Sequence, residues 1–205
     1  MHLSIIGAAG LVGSQITAEA LTRGHRVDAY TRSGRTTALT PTQPLALTDT
    51  DAVAQVVDAS DATVITVGGR DDYEAVVAAH ERLIAARPTG RVLVVGGAGA
   101  LPVGEGRLLD SPDFPAEYLP EAKAFARVYD AYAASEGLAW TMIAPSPEIA
   151  PGVRTGHYVD GGNGIAGGFV SSQDFAVAAV DELEKPVHQG ERFSVASADE
   201  TAARG

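Results

Sequence analysis

Short apolar runs alternate with stretches of helical periodicity along nearly the whole chain. Leu3-Ser4-Ile5-Ile6 reads as a first buried strand. Leu11 to Arg23 then reads as a helix, with Leu11, Val12, Ile16, Ala20 and Leu21 roughly on one stripe and Gly24 in the C-cap position. Arg26–Thr31 is a second strand, Pro44–Leu47 a short third, and Asp49–Asp58 a short helix. The run 62–67 (Ala-Thr-Val-Ile-Thr-Val) is a fourth strand, and Asp71–Ala86 a helix with acids in its first turn and Arg82 and Arg87 near its end, signs that suit the helix dipole. In that setting Asp71-Asp72 reads as dipole-stabilising and not as a metal pair, so no metal site is predicted. Arg91–Val95 is a fifth strand.

The second half is less regular. Residues 101–119 are proline-rich and read as a long loop, 120–135 as a helix, and Trp140–Ala144 as a sixth strand, with Trp140 in the core. Residues 145–170 are rich in Gly and Pro, with faint strand patterns at 157–159 and 169–170. A helix over Ser171–Glu184, with Ser or Gln near its cap, and a strand over Arg192–Val195 complete the series. The β-α-β order implies α/β: one domain over residues 1–205, a parallel, doubly wound sheet with a small C-terminal lobe on the substrate side. Loops 101–119 and 145–170 then sit at the carboxyl ends of strands, where ligands bind in such sheets.

Composition sharpens this. Hydrophobic residues are 45% of the 205 and aromatics only 6%, so the core is built of small aliphatics, as suits helices packed closely on a parallel sheet. A net charge of −11 speaks against nucleic acid, which needs clustered Lys and Arg. The absence of cysteine excludes disulfides and thiolate catalysis. No apolar run approaches the roughly 20 residues of a membrane span, and His2–Ile6 is too short for a signal-peptide core. The expectation is a soluble, cytoplasmic monomer or homodimer acting on a small molecule.

The chemistry begins at Gly7-Ala8-Ala9-Gly10-Leu11-Val12-Gly13, between the first strand and the first helix. Gly7 turns the chain, Gly10 lets a pyrophosphate approach backbone, Gly13 lets helix and strand pack closely, and the helix N-terminus offers N–H groups to phosphate. Strand, loop and helix in this order mark a Rossmann-type NADPH- or NADH-binding domain. An acid about 20 residues later would take the ribose hydroxyls of NAD. Here Thr31-Arg32-Ser33 stands there, with Arg35 nearby, while Asp28 comes too early in the strand; a guanidinium and hydroxyls suit a 2′-phosphate, so NADP(H) is favoured over NAD(H).

The Tyr-x-x-x-Lys dyad of short-chain dehydrogenases is missing. The only lysines are Lys123 and Lys185, preceded four residues earlier by Leu119 and Asp181. Tyr118 lies five residues from Lys123, before the Pro120 that opens a helix. Ser146, between two prolines after the sixth strand, and His157 in the glycine-rich loop complete the candidates for catalysis with Tyr118 and Lys123. The other histidines, His2, His25, His80 and His188, read as surface residues.

Nearly end to end, the chain resembles the atypical short-chain dehydrogenases, a group that includes provisionally named NADH-flavin reductases, biliverdin/flavin reductases and NmrA-like proteins. The resemblance lies in residues 7–13, in 23–27 (Arg-Gly-His-Arg-Val), in 94–101 (Val-Val-Gly-Gly-Ala-Gly-Ala-Leu) and in 113–118 (Asp-Phe-Pro-Ala-Glu-Tyr). It continues in 151–158 (Pro-Gly-Val-Arg-Thr-Gly-His-Tyr), 174–176 (Asp-Phe-Ala) and 181–183 (Asp-Glu-Leu). It implies that Gly7, Gly10, Leu11 and Val12 hold the pyrophosphate, that Val67, Gly68 and Gly69 pass beneath the adenine ribose, and that Gly96, Gly97, Pro145 and Ser146 border the nicotinamide. Some relatives carry a serine where this chain has Gly97. The activity implied is hydride transfer from NAD(P)H to a flavin or quinone-like acceptor; a non-catalytic NAD(P)-binding regulator and, third, a sugar epimerase or dehydratase are the alternatives.

Overall fold

The apolar runs become strands as expected, in a computed structural model that describes residues 1–69 and 72–205. In chain order these are β1 (His2–Ile6), α1 (Leu11–Thr22), β2 (Arg26–Thr31), β3 (Thr42–Pro44), α2 (Thr50–Asp58), β4 (Ala62–Ile65), α3 (Tyr73–Ala86) and β5 (Val92–Val95). Then come β6 (Pro102–Val103), β7 (Gly106–Arg107), α4 (Leu119–Ala133), β8 (Trp140–Pro145), β9 (Glu148–Ala150), β10 (Tyr158–Asp160), β11 (Phe169–Ser171), α5 (Ser172–Glu184), β12 (Arg192–Ser197) and α6 (Glu200–Arg204).

Eight strands form one sheet in the order β10-β12-β8-β5-β4-β1-β2-β3, parallel except for β10, which runs against β12. Successive crossovers place α1 and α5 over one face and α2, α3 and α4 over the other, each burying its own aliphatic cluster. This is the Rossmann-type, doubly wound arrangement. β9 and β11 pair only with each other, in a parallel two-stranded lobe capped by α6.

Four readings need correction. The third strand is Thr42–Pro44, not Pro44–Leu47: Leu45 and Leu47 are buried apolar residues beyond the strand, and their burial imitates strand alternation. The buried face of α1 holds Gly13, Ile16, Thr17, Glu19 and Ala20, whereas Leu11 and Leu21, 44% and 37% exposed, lie off it. Residues 101–119 hold the β6–β7 hairpin and short 3-10 turns. β9 and α6 lack any strong periodicity and come only with the structure. Trp140 is in the core as expected. His80 is not a surface residue: it is fully buried on α3, and its Nδ1 and the Tyr132 hydroxyl are 3.1 Å apart. Asp72 caps α3 by accepting the Ala75 N–H at 3.0 Å; Asp71 lies outside the described residues. Among the described residues no helix is long and apolar enough to cross a membrane.

Candidate functional site

The glycine loop follows β1 directly. Gly7 has φ +95°, and its N–H and that of Ala8 both donate to the Tyr30 carbonyl, locking the turn to β2. A Cβ on Gly7 would lie 2.5 Å from Thr66 Oγ1, and one on Gly13 only 2.2 Å from the Gly7 carbonyl oxygen, so the fold itself demands both glycines. Gly10 differs. Its φ is −75°, and a Cβ there would meet nothing closer than the Gly7 oxygen at 3.3 Å. It is also the N-cap of α1, where no side chain covers the first-turn N–H groups, and no acid stands in that turn. Leu11, Val12 and Gly13 therefore start a helix whose positive end is open to an anion.

A groove of about 410 Å³ opens beside this helix end. It brings together Gly7, Ala9, Gly10, Arg32, Val67 and Gly69 of the expected residues. Leu45 to Thr48, Ala75 and Val76 also line it and were not anticipated; the two leucines were the only signal, and they read as strand. Gly69 turns with φ +73°, and a Cβ there would strike Val76 at 2.8 Å, so the chain must be bare where it rounds the groove. Gly68 is next to Glu121, and Ser33 is exposed just beyond the groove.

At the other end of the site, β5 and β8 are register neighbours, so Gly96-Gly97 and Pro145-Ser146 emerge side by side at their carboxyl ends. A Cβ on Gly96 would press on Met142 Sδ at 2.9 Å, while one on Gly97 would meet nothing within 4 Å. Ser146 is buried, and its hydroxyl donates to the Val195 carbonyl at 2.8 Å, which commits its proton to the sheet. Tyr118 is 58% exposed at the start of α4, and Lys123 lines an adjoining cleft of about 330 Å³ with Tyr73, Glu74 and Arg127, which shares Asp72 with the groove. His157 is exposed, with its backbone N–H on Thr155 Oγ1 and its carbonyl accepting from Ala198. Among the described residues none of the four catalytic candidates is hydrogen-bonded to another.

Comparison with known proteins decides the family. Residues 7–186 match the family described as NAD(P)H-binding. The chain belongs to the NAD(P)H-binding family. Within it, this NAD(P)H-binding protein is 36% identical to the uncharacterised YwnB of Bacillus subtilis, an alignment that covers 96% of this chain and 99% of YwnB. It is also similar to a solved structure from Streptococcus pneumoniae provisionally named an NADH-flavin reductase, with 33% identity, a TM-score of 0.84 and 96% and 99% of the two chains covered. A structure from Bacteroides thetaiotaomicron provisionally named an epimerase matches as well, at 30% identity, a TM-score of 0.85 and 97% of each chain. The atypical short-chain dehydrogenase resemblance stands, and the open helix end, the bare Gly10 and the groove are features that fit a dinucleotide.

Proposed function

We propose that this protein is an NAD(P)H-dependent reductase that passes hydride to a flavin or quinone-like acceptor. In this reading Gly10, Leu11, Val12 and Gly13 hold the pyrophosphate through backbone N–H groups, and Ala9 completes the loop. Val67, Gly68 and Gly69 border the adenosine half, with Arg32 and Ser33 toward a 2′-phosphate, so NADPH is preferred to NADH. Gly96, Gly97, Pro145 and Ser146 border the nicotinamide. A reduced nicotinamide bound there supplies hydride.

The observation that carries the choice of acceptor is the bare end of β5 and β8. Gly97 has room for a side chain and presents none, and Ser146 spends its proton on Val195. Simple carbonyl reduction needs a proton at the developing alkoxide, whereas a reduced flavin or quinone takes its proton from water. The protein's work is then alignment of donor and acceptor. The absence of the Tyr-x-x-x-Lys dyad supports the same choice and disfavours the epimerase reading suggested by the Bacteroides relative's name. The lack of a proton donor also suits a non-catalytic regulator that binds NAD(P)H. NADPH oxidation assays with FMN, FAD, simple quinones and an aldehyde panel separate these readings. Turnover of flavins or quinones, with little of aldehydes, is expected. An aldehyde as the best substrate overturns the mechanism, and tight NADPH binding without turnover favours the regulator.

A further inference from the structure

Arg192 is the most unusual charged residue in the fold. It stands at the start of β12, is only 5% exposed, and makes no direct ion pair among the described residues; Asp130, the carboxylate whose charge reaches it, is itself paired with Arg107. Burial pushes its guanidinium below the usual arginine range. A buried cation without a direct ion pair is costly, and an apolar residue would fill the same volume more cheaply. What it has instead are three contacts, each to a different wall. Nη1 donates to the Ala100 carbonyl at 2.8 Å, Nε donates to Asn163 Oδ1 at 2.9 Å, and the guanidinium lies 3.7 Å over the Tyr129 ring of α4.

Two of those walls are continuous along the chain with the carboxyl ends of β5 and β8. Ala100 ends the short turn that begins directly after Gly97. Asn163 is in the glycine-rich loop 161–168, whose end is fastened to the strand after Ser146, where the Glu148 N–H donates to the Gly168 carbonyl at 3.1 Å. The rest of the loop lies flat on β12 through Ser194, which donates to the Gly162 and Gly164 carbonyls. A guanidinium suits such a task, since its fixed fork of donors sets the distance and angle between the groups it joins.

We propose that Arg192 is a positioning residue for the acceptor. It fixes the spacing between the turn after β5 and the 161–168 loop, and through them the open space outside Gly97. The acceptor role rests on the reductase reading; the clamp itself does not.

The test uses Arg192→Met, Arg192→Lys and Asn163→Ala, the last at an exposed position and safe for folding. Three quantities are read: amide hydrogen exchange by segment, NADPH affinity by calorimetry, and KM and kcat with FMN. Arg192→Met is expected to speed exchange about tenfold at 98–101 and 161–168 but not at 7–13, the loss of about one charge-assisted hydrogen bond. NADPH affinity should stay within about twofold, while KM for FMN rises about tenfold and kcat falls less. Arg192→Lys, which keeps the charge, should recover part of the KM, and Asn163→Ala should loosen 161–168 alone. Unchanged exchange at both segments overturns the clamp. Faster exchange with unchanged KM, or KM and NADPH affinity lost together, overturns the positioning role. A wild-type protein that binds NADPH but reduces no acceptor overturns the reductase reading and with it the acceptor role, and the exchange pattern still decides the clamp.

Discussion

Gly10 and Gly13 stand three residues apart and answer to different constraints. Gly13→Ala would force a methyl to 2.2 Å from the Gly7 oxygen, and overpacking of that kind costs about 1–3 kcal/mol, so its melting temperature should fall by several degrees. Gly10→Asp has room in the fold but would set a carboxylate at the helix end, so it should keep its melting temperature and lose NADPH binding by calorimetry. A folded Gly10→Asp protein with unchanged affinity would refute the loop as the pyrophosphate site. Arg32 lines the groove, so Arg32→Ala should weaken NADPH about tenfold and leave NADH nearly unchanged; equal losses would show that it does not read a 2′-phosphate. His80 sets a pH dependence. Burial holds its pKa at about 4, against 6.5 for an ordinary histidine. The unfolded chain therefore binds the extra proton first: stability is complete above about pH 6.5 and falls by about 2 kcal/mol by pH 5. Urea unfolding at the two pH values should show that loss, and His80→Leu should reduce it. Of these residues the glycines were legible in the sequence because their roles are local. His80 was not, since it is buried by Tyr132, 52 positions away.

At the scale of elements, most helices and strands could be read because each buries a periodic apolar face; the ties between them could not. Glu19 is the clearest case. It is 5% exposed on α1, and it accepts two hydrogen bonds from Arg154 at 2.8 Å and one from Arg23, while Arg23 also reaches Asp181 on α5. The Arg154 bonds, with help from Arg23, hold its carboxyl at about 2. Nothing along the chain links positions 19 and 154. The segment 154–156 that marks the resemblance has the same explanation: Thr155 and Gly156 donate backbone N–H groups to the buried Asp174 at 2.8 and 2.9 Å. Because folding depresses the Glu19 pKa, its contribution is present above about pH 4.5 and fades as the pH falls toward 2. Arg154 is half exposed, so solvent screens part of the pair, and Glu19→Gln should cost about 2 kcal/mol by chemical denaturation at pH 7. A loss below about 0.5 kcal/mol would show that the bridge contributes only geometry.

For the molecule as a whole, the doubly wound sheet and the turn of the glycine loop were legible, because β1, the loop, α1 and β2 are consecutive and each carries its own signal. The surroundings of the β5 and β8 ends were foreseen only as the loops 101–119 and 145–170, because the turn after β5, the segment after β8 and the loop 161–168 have no period of their own. The same division governs how the protein can change. β9 and β11 form a ladder of their own, and β11 meets the eight-stranded sheet through a side chain, the Ser171 N–H donating to Ser197 Oγ of β12. Residues 147–171 touch the main sheet through β10 on β12 and α1 through Arg154, yet none of them lines the groove beside the glycine loop, so the stretch can be exchanged as one segment. A chimera that takes this stretch from a relative should bind NADPH with affinity within about threefold of the parent, a shift under 1 kcal/mol, while its ranking of acceptors follows the donor of the segment. Diversification in such a lineage would then proceed by trading one surface segment, with the nucleotide grip inherited intact.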